Sequence, residues 1–137
     1  MPLLKKLALY LLILFYFVAG VNHFIMPEVY DTMMPPYFPA HNVLNALAGA
    51  AEIILALLMI FARRRRMAAT GIILLLISFI PVHIYMLQES PMPFAGTVVS
   101  PTVAWLRLVV AHPVLLAWAW WLRDERACRR LPASNRP

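Results

Sequence analysis

Only one cysteine, Cys128, occurs in the chain. Dithiol exchange on a protein's own residues needs a pair, usually as C-x-x-C, so the chain cannot run that chemistry alone. Charge is equally scarce. Asp, Glu, Lys and Arg make up 13% of the sequence, against about 25% in soluble domains, and hydrophobic residues make up 63%. Four segments lack the polar interruptions of a soluble helix: 7–25, 43–62, 67–87 and 102–122. Each approaches the ~20 residues that cross a hydrocarbon core of about 30 Å. Too little chain remains for a separate soluble domain.

The net charge of +6 does not point to nucleic acid, because its placement follows the apolar runs. Lys5 and Lys6 precede the first, Arg63 to Arg66 join the second to the third, and Arg123, Arg126, Arg129, Arg130 and Arg136 follow the fourth. The other two connections, 26–42 and 88–101, hold Glu28, Asp31 and Glu89 with no Lys or Arg. The positive-inside rule then predicts an all-α integral membrane protein. It is an up-down-up-down four-helix bundle over 1–123 with both termini cytoplasmic, and 124–137 forms a basic cytoplasmic tail with at most a weak grip on anionic lipid. A cleaved signal peptide is disfavoured, since "FYFVA" before Gly20 is a poor A-x-A site.

The outward connections are rich in proline and aromatic rings, which predicts a stiff cap over the bundle mouth. They share a pattern: His23-Phe-Ile-Met26 leads to Met34-Pro35, and His83-Ile-Tyr-Met86 leads to Met92-Pro93. Two copies of one helical hairpin would produce it. Trp118, Trp120 and Trp121 crowd the opposite end of the fourth segment, where indoles suit an interface. Pro81 and Pro113 bend the third and fourth.

Glu52 and Arg107 lie inside apolar runs, where a lone charge costs about 2.5 to 3.5 kcal/mol on insertion scales. Both are expected to face inward, at heights differing by about 6 Å, within reach of one another. Asn45, Gly49, Glu52 and Ala56 follow the i, i+4, i+7, i+11 rhythm of one helix face, its small residues allowing close helix approach. Asn22 and His23 end the first segment, His83 ends the third, and His112 follows Arg107 by five positions, about 140° around an α-helix. Those two need not share a cavity wall. The polar residues of all four segments thus gather in the outer half of the bundle.

The stretches "AGVNHFIMPEVYDTMMPPYFP", "LAGAAEIILALLMIFARRRRMAATGIILLLISFIPVHIYM" and "WLRLVVAHPVLLAW" resemble the DoxX-like family of small bacterial four-helix membrane proteins, through Gly20, His23-Phe24, Met34-Pro35-Pro36, Gly49 with Glu52, His83 to Met86 and Arg107. The resemblance implies residence in the bacterial inner membrane and membrane redox chemistry, because the family is named for a subunit of a thiosulfate:quinone oxidoreductase. His83 and His112 stand where members often carry asparagine and glutamine.

Three functions follow as expectations. The first is a subunit or accessory of a membrane oxidoreductase that binds a quinone or similar molecule at His23, Asn22, Asn45, Glu52, His83, Arg107 and His112. His23 or His83 would donate to a carbonyl, Arg107 would stabilise negative charge, and Glu52 would relay protons. No intrinsic cofactor motif supplies electrons, so a partner oxidoreductase subunit is required. The second is Cu(I) handling by the i, i+3 pairs His23 with Met26 and His83 with Met86, since thioether and imidazole suit that ion. The third is a structural or assembly subunit whose polar core fixes helix register. A transporter is disfavoured unless the protein is a homo-oligomer.

Overall fold

The computed structural model describes residues 1–94 and 96–123; Cys128 and the rest of the basic tail lie outside the described residues. Four helices are long and apolar enough to cross a membrane: α1 (Leu3–Ile25), α3 (His41–Ile60), α4 (Arg65–Gln88) and a composite span Pro101–Arg123. The first begins four residues before the apolar run, at Leu3, because lysine is a good helix former and Lys5 and Lys6 extend the turn toward solvent. Large apolar side chains are exposed along all four, including Leu11, Leu14, Leu47, Ile54, Leu74, Ile77 and Val110. Such a surface matches hydrocarbon and not water.

The helices pack chiefly as two pairs, α1 with α3 and α4 with the last span. In the first pair, Gly20 and Gly49 bring two backbones into direct contact. A Cβ on Gly20 would sit 2.7 Å from the Gly49 carbonyl oxygen, and one on Gly49 would sit 2.6 Å from the His23 Cβ. The buried residues of α3 are Asn45, Gly49, Glu52, Ala56 and Met59, the face that the sequence rhythm marks.

At one end, called here the basic end, Leu9, Leu12, Met59, Ala69, Ile72, Ala119 and Leu122 form the main apolar core. The Lys5 ammonium lies 5.6 Å from the Trp121 ring centre and the Arg123 guanidinium 4.7 Å from that of Trp120. Arg65 departs from the expected role of an orientation signal alone. It is buried, donates from Nε to the Met59 carbonyl at 3.0 Å and from Nη2 to that of Ile60 at 3.5 Å. It therefore caps the carbonyls that the end of α3 leaves without helical partners.

The opposite end is capped, and the two connections there fold differently. Residues after Met26 form a short helix, α2 (Pro27–Met33), with Pro27 at its first turn, where no N–H is needed. The second connection is a hairpin of β1 (Met92–Phe94) and β2 (Thr97–Val99), antiparallel with Met92 opposite Val99, turning at Gly96 with φ of 78°. The hairpin repeat suggested by the His-Met pattern does not extend to these connections. Met33, Met86, Met92, Val99 and Ala104 form a second apolar cluster beneath them.

The last span is not one continuous α-helix. It runs as α5 (Pro101–Leu106), a π-helical turn at Arg107–Ala111, and α6 (His112–Arg123), with the His112 N–H returned to the Arg107 carbonyl. Pro113 has no N–H to give Val109, so the α-helical ladder is interrupted there in any case. Widening the turn by one residue absorbs the break.

Candidate ligand site between the helix pairs

Between the two pairs, and between the two apolar clusters, lies a cavity of about 920 Å³. Tyr16 and His23 of α1, Asn45 and Glu52 of α3, His83 of α4, and Arg107 and His112 of the last span all line it. Tyr30 and Met33 of α2 close it at the capped end, together with Phe38. The rest of the wall is mainly apolar, with Phe15, Leu75, Phe79 and Leu115 among its members. A mostly apolar recess with a few convergent polar groups is the usual form of a small-molecule site.

Arg107 and His112 share this wall, contrary to the 140° separation that an α-helix imposes. The π turn is the cause. With the hydrogen bond running from residue 112 back to 107, residues five apart stand roughly one turn above each other. Asn22 goes the other way. It precedes His23 by one residue, about 100° around α1, and borders a shallow groove with Leu14, Phe15, Val18 and Ala19, away from the other polar residues.

His23 is held on every side. The Asn45 amide donates from Nδ2 to the His23 backbone carbonyl at 2.8 Å, which leaves Asn45 Oδ1 facing His23 Nδ1 at 2.6 Å. A carbonyl only accepts, so the amide orientation is fixed and His23 Nδ1 must be the donor. The other ring nitrogen, Nε2, lies 3.7 Å from Glu52 Oε2. Tyr30 stacks on the imidazole with ring centres 3.7 Å apart and planes 23° from parallel.

The two remaining imidazoles meet edge to face, 4.9 Å between centres. His83 donates from Nδ1 to the Phe79 carbonyl at 2.9 Å. His112 hydrogen-bonds the backbone of Leu76, across the helix pair, and its Nε2 is buried without a partner. The N–H groups expected to serve a ligand carbonyl, those of His23 and His83, are thus already used within the protein.

Three buried polar atoms on the cavity wall have no hydrogen-bond partner: Tyr16 Oη, Glu52 Oε2 and His112 Nε2. Each residue is at least nine-tenths buried, with 2%, 5% and 4% exposure. Leaving one such atom unsatisfied costs about 1–3 kcal/mol. Tyr30 lies within electrostatic range of both Glu52 and Arg107, which act on its phenol in opposite senses. Burial dominates and holds the phenol above its usual value of 10.0.

Tyr16 and Tyr30 were not among the residues singled out from the sequence. Tyr16 is one of two tyrosines, with Tyr10, amid the aliphatic and phenylalanine residues of α1, a signal that reads equally as filler. Of the two His-Met pairs, His83 and Met86 both line the cavity, whereas Met26 is exposed at the break between α1 and α2, apart from His23. Among the described residues, no group of three or more His, Cys, Asp or Glu is arranged to hold a metal ion.

No curated protein and no solved structure matches the chain. One family model does, over residues 12–123, a range that takes in every residue of the cavity wall. By that match the chain belongs to the family described as "Domain of unknown function (DUF8561)".

Proposed function

We propose that this protein is a DoxX-like subunit or accessory of a membrane oxidoreductase, and that it holds a quinone-class ring molecule in the cavity between its helix pairs. The observation that carries this is the trio of unpartnered buried atoms, Tyr16 Oη, Glu52 Oε2 and His112 Nε2, lining one mostly apolar cavity. A ring bearing two oxygens satisfies such groups while its faces rest on Phe15, Phe79 and the aliphatic wall. Three imidazoles, a carboxylate and a guanidinium around one recess suit a ligand whose oxygens gain and lose protons. A purely structural subunit gives no reason for a cavity of this size or for the cost of the unpaired atoms. Copper has less support, because only one of the two His-Met pairs reaches the cavity. The electrons for any turnover come from a partner protein.

The capped end is assigned to the periplasmic face of the bacterial inner membrane and the basic end to the cytoplasm, on the distribution of Lys and Arg. Cys128 is the sole cysteine, so its labelling reports the side of the C-terminus cleanly. A membrane-impermeant maleimide should leave it unmodified in intact spheroplasts and modify it after permeabilisation; modification in intact spheroplasts reverses the orientation.

The ligand is tested by extracting the detergent-purified protein with organic solvent and analysing the extract by mass spectrometry. Near-stoichiometric quinone-class molecule is expected from the wild type, with several-fold less from His112→Phe at equal helical content. Extracts holding only phospholipid, from both proteins, refute the proposal.

A further inference from the structure

The same cavity carries a directional preference that follows from where its donors and acceptors are. Each of the three imidazoles has one nitrogen tied to a protein acceptor: His23 Nδ1 to Asn45 Oδ1, His83 Nδ1 to the Phe79 carbonyl, and His112 to the Leu76 backbone. The Asn45 orientation is fixed by its own bond to the His23 carbonyl, and a backbone carbonyl accepts only. For His112 the free nitrogen is Nε2, so Nδ1 makes the Leu76 bond. All three rings therefore share one tautomer when neutral. The proton is on Nδ1, and Nε2 keeps its lone pair.

The consequence is a wall that mostly accepts. Glu52 adds carboxylate oxygens, one of them unpartnered. Against these acceptors stand the Arg107 guanidinium and the Tyr16 and Tyr30 hydroxyls as donors. A ring with two carbonyls offers acceptors alone and leaves the imidazole lone pairs and the Glu52 oxygen unsatisfied. A ring with two hydroxyls offers donors where the wall lacks them.

The His23–Glu52 gap fits one such hydroxyl. At 3.7 Å, Nε2 and Oε2 are too far apart for a direct hydrogen bond. An oxygen about 2.8 Å from each would complete a triangle with that edge. One hydroxyl oxygen could then donate to one of the pair and accept from the other when the pair holds a proton. At the far side of the wall, His112 Nε2 would receive the second hydroxyl.

We infer that the cavity selects the reduced, two-hydroxyl form of its ring ligand over the oxidised, two-carbonyl form, with the His23–Glu52 pair accepting from one hydroxyl and His112 Nε2 from the other. This rests on the quinone-class assignment made above and adds the redox state to it. It concerns binding only. Where the electrons go depends on the partner.

The test uses the full-length protein in nanodiscs under anaerobic conditions and two probes carrying the same short isoprenoid chain, a benzohydroquinone and the corresponding benzoquinone. Calorimetric titration should give a dissociation constant at least tenfold lower for the hydroquinone, equivalent to about 1.4 kcal/mol. Glu52→Gln brings an amide donor into the acceptor wall, so the ratio should fall toward unity, mainly by loss of hydroquinone affinity. Equal binding of both probes by the wild type, or tighter binding of the quinone, overturns the selectivity and leaves the ligand class standing. Binding of neither probe by a protein of full helical content removes the ligand class and the selectivity with it. A ratio in the wild type that Glu52→Gln and His112→Phe both leave unchanged also overturns the assignment of these acceptors.

Discussion

The carbonyl oxygen of Gly49 occupies the space that a side chain on Gly20 would need, 2.7 Å from the Cβ position. This contact sets the separation of α1 and α3 at the depth of the cavity. His23 lies less than one turn from Gly20, and Asn45 and Glu52 flank Gly49 on the same face, so the hydrogen bonds of His23 inherit that separation. Gly20→Ala and Gly49→Ala should each cost about 1–3 kcal/mol, the usual range for overpacking a tight contact. A fluorescence melt in detergent measures it, and each variant should also bind ligand less well. Melts unchanged from wild type would show that the helices separate without penalty.

Replacing Glu52 by glutamine should raise stability while lowering ligand affinity. Glutamine keeps the shape and removes the cost of burying a carboxylate with an unpartnered oxygen. An increase of about 1 kcal/mol in chemical denaturation is expected, the pattern of a site that gives up stability for function. If Glu52 were only half of a structural ion pair, the same substitution would destabilise instead.

Nitrogen-15 spectra of labelled histidine in the ligand-free protein should show His23, His83 and His112 with the proton on Nδ1 when neutral. In water the Nε2 tautomer dominates for free histidine, so the result is diagnostic of the bonds to Asn45, Phe79 and Leu76. Asn45→Leu should release His23 alone from this state. It should also cost about 1–3 kcal/mol, because the buried His23 carbonyl loses its donor. An Nε2–H signal for His23 in the wild type would contradict the network.

Tyr30 links stability to alkaline pH. Its phenol is held above 10.0 in the folded protein, chiefly by burial and secondarily by the Glu52 carboxylate, with Arg107 acting the other way. The folded state thus favours the protonated form. Its contribution is intact below pH 10 and declines as pH rises through the unfolded value toward the folded one. Tyr30→Phe should flatten that decline and alter stability little at pH 7. Tyr30→Ala should lose the stack on His23, worth about 0.5–1.5 kcal/mol at all pH values.

The four apolar helices and the inward face of α3 were legible because both rest on periodicity, which composition and spacing express directly. The same holds for His23, Glu52 and His83, polar residues in apolar runs, each of which lines the cavity. Three things were not legible. Asn22 and His23 are adjacent in sequence, and nothing local says which of them turns inward. The role of Arg65 as a cap was hidden inside a run of four identical charges, since only the fold distinguishes the arginine that reaches Met59 and Ile60. The convergence of Arg107 with His112 depends on a change of helix type. Pro113 marks a broken ladder, but a proline is compatible with a kink as well as with a widened turn.

That widened turn has a consequence for how this fold tolerates change. Above it the last span is in one angular phase, and below it in another, offset by a single residue. Removing one amino acid between 107 and 112 would restore an unbroken spiral in which the guanidinium and the imidazole stand four positions apart, about 40° around, and still share a side. The widened turn therefore holds one residue more than a regular spiral needs to bring the two together, so the composition of the pocket is encoded partly as a length.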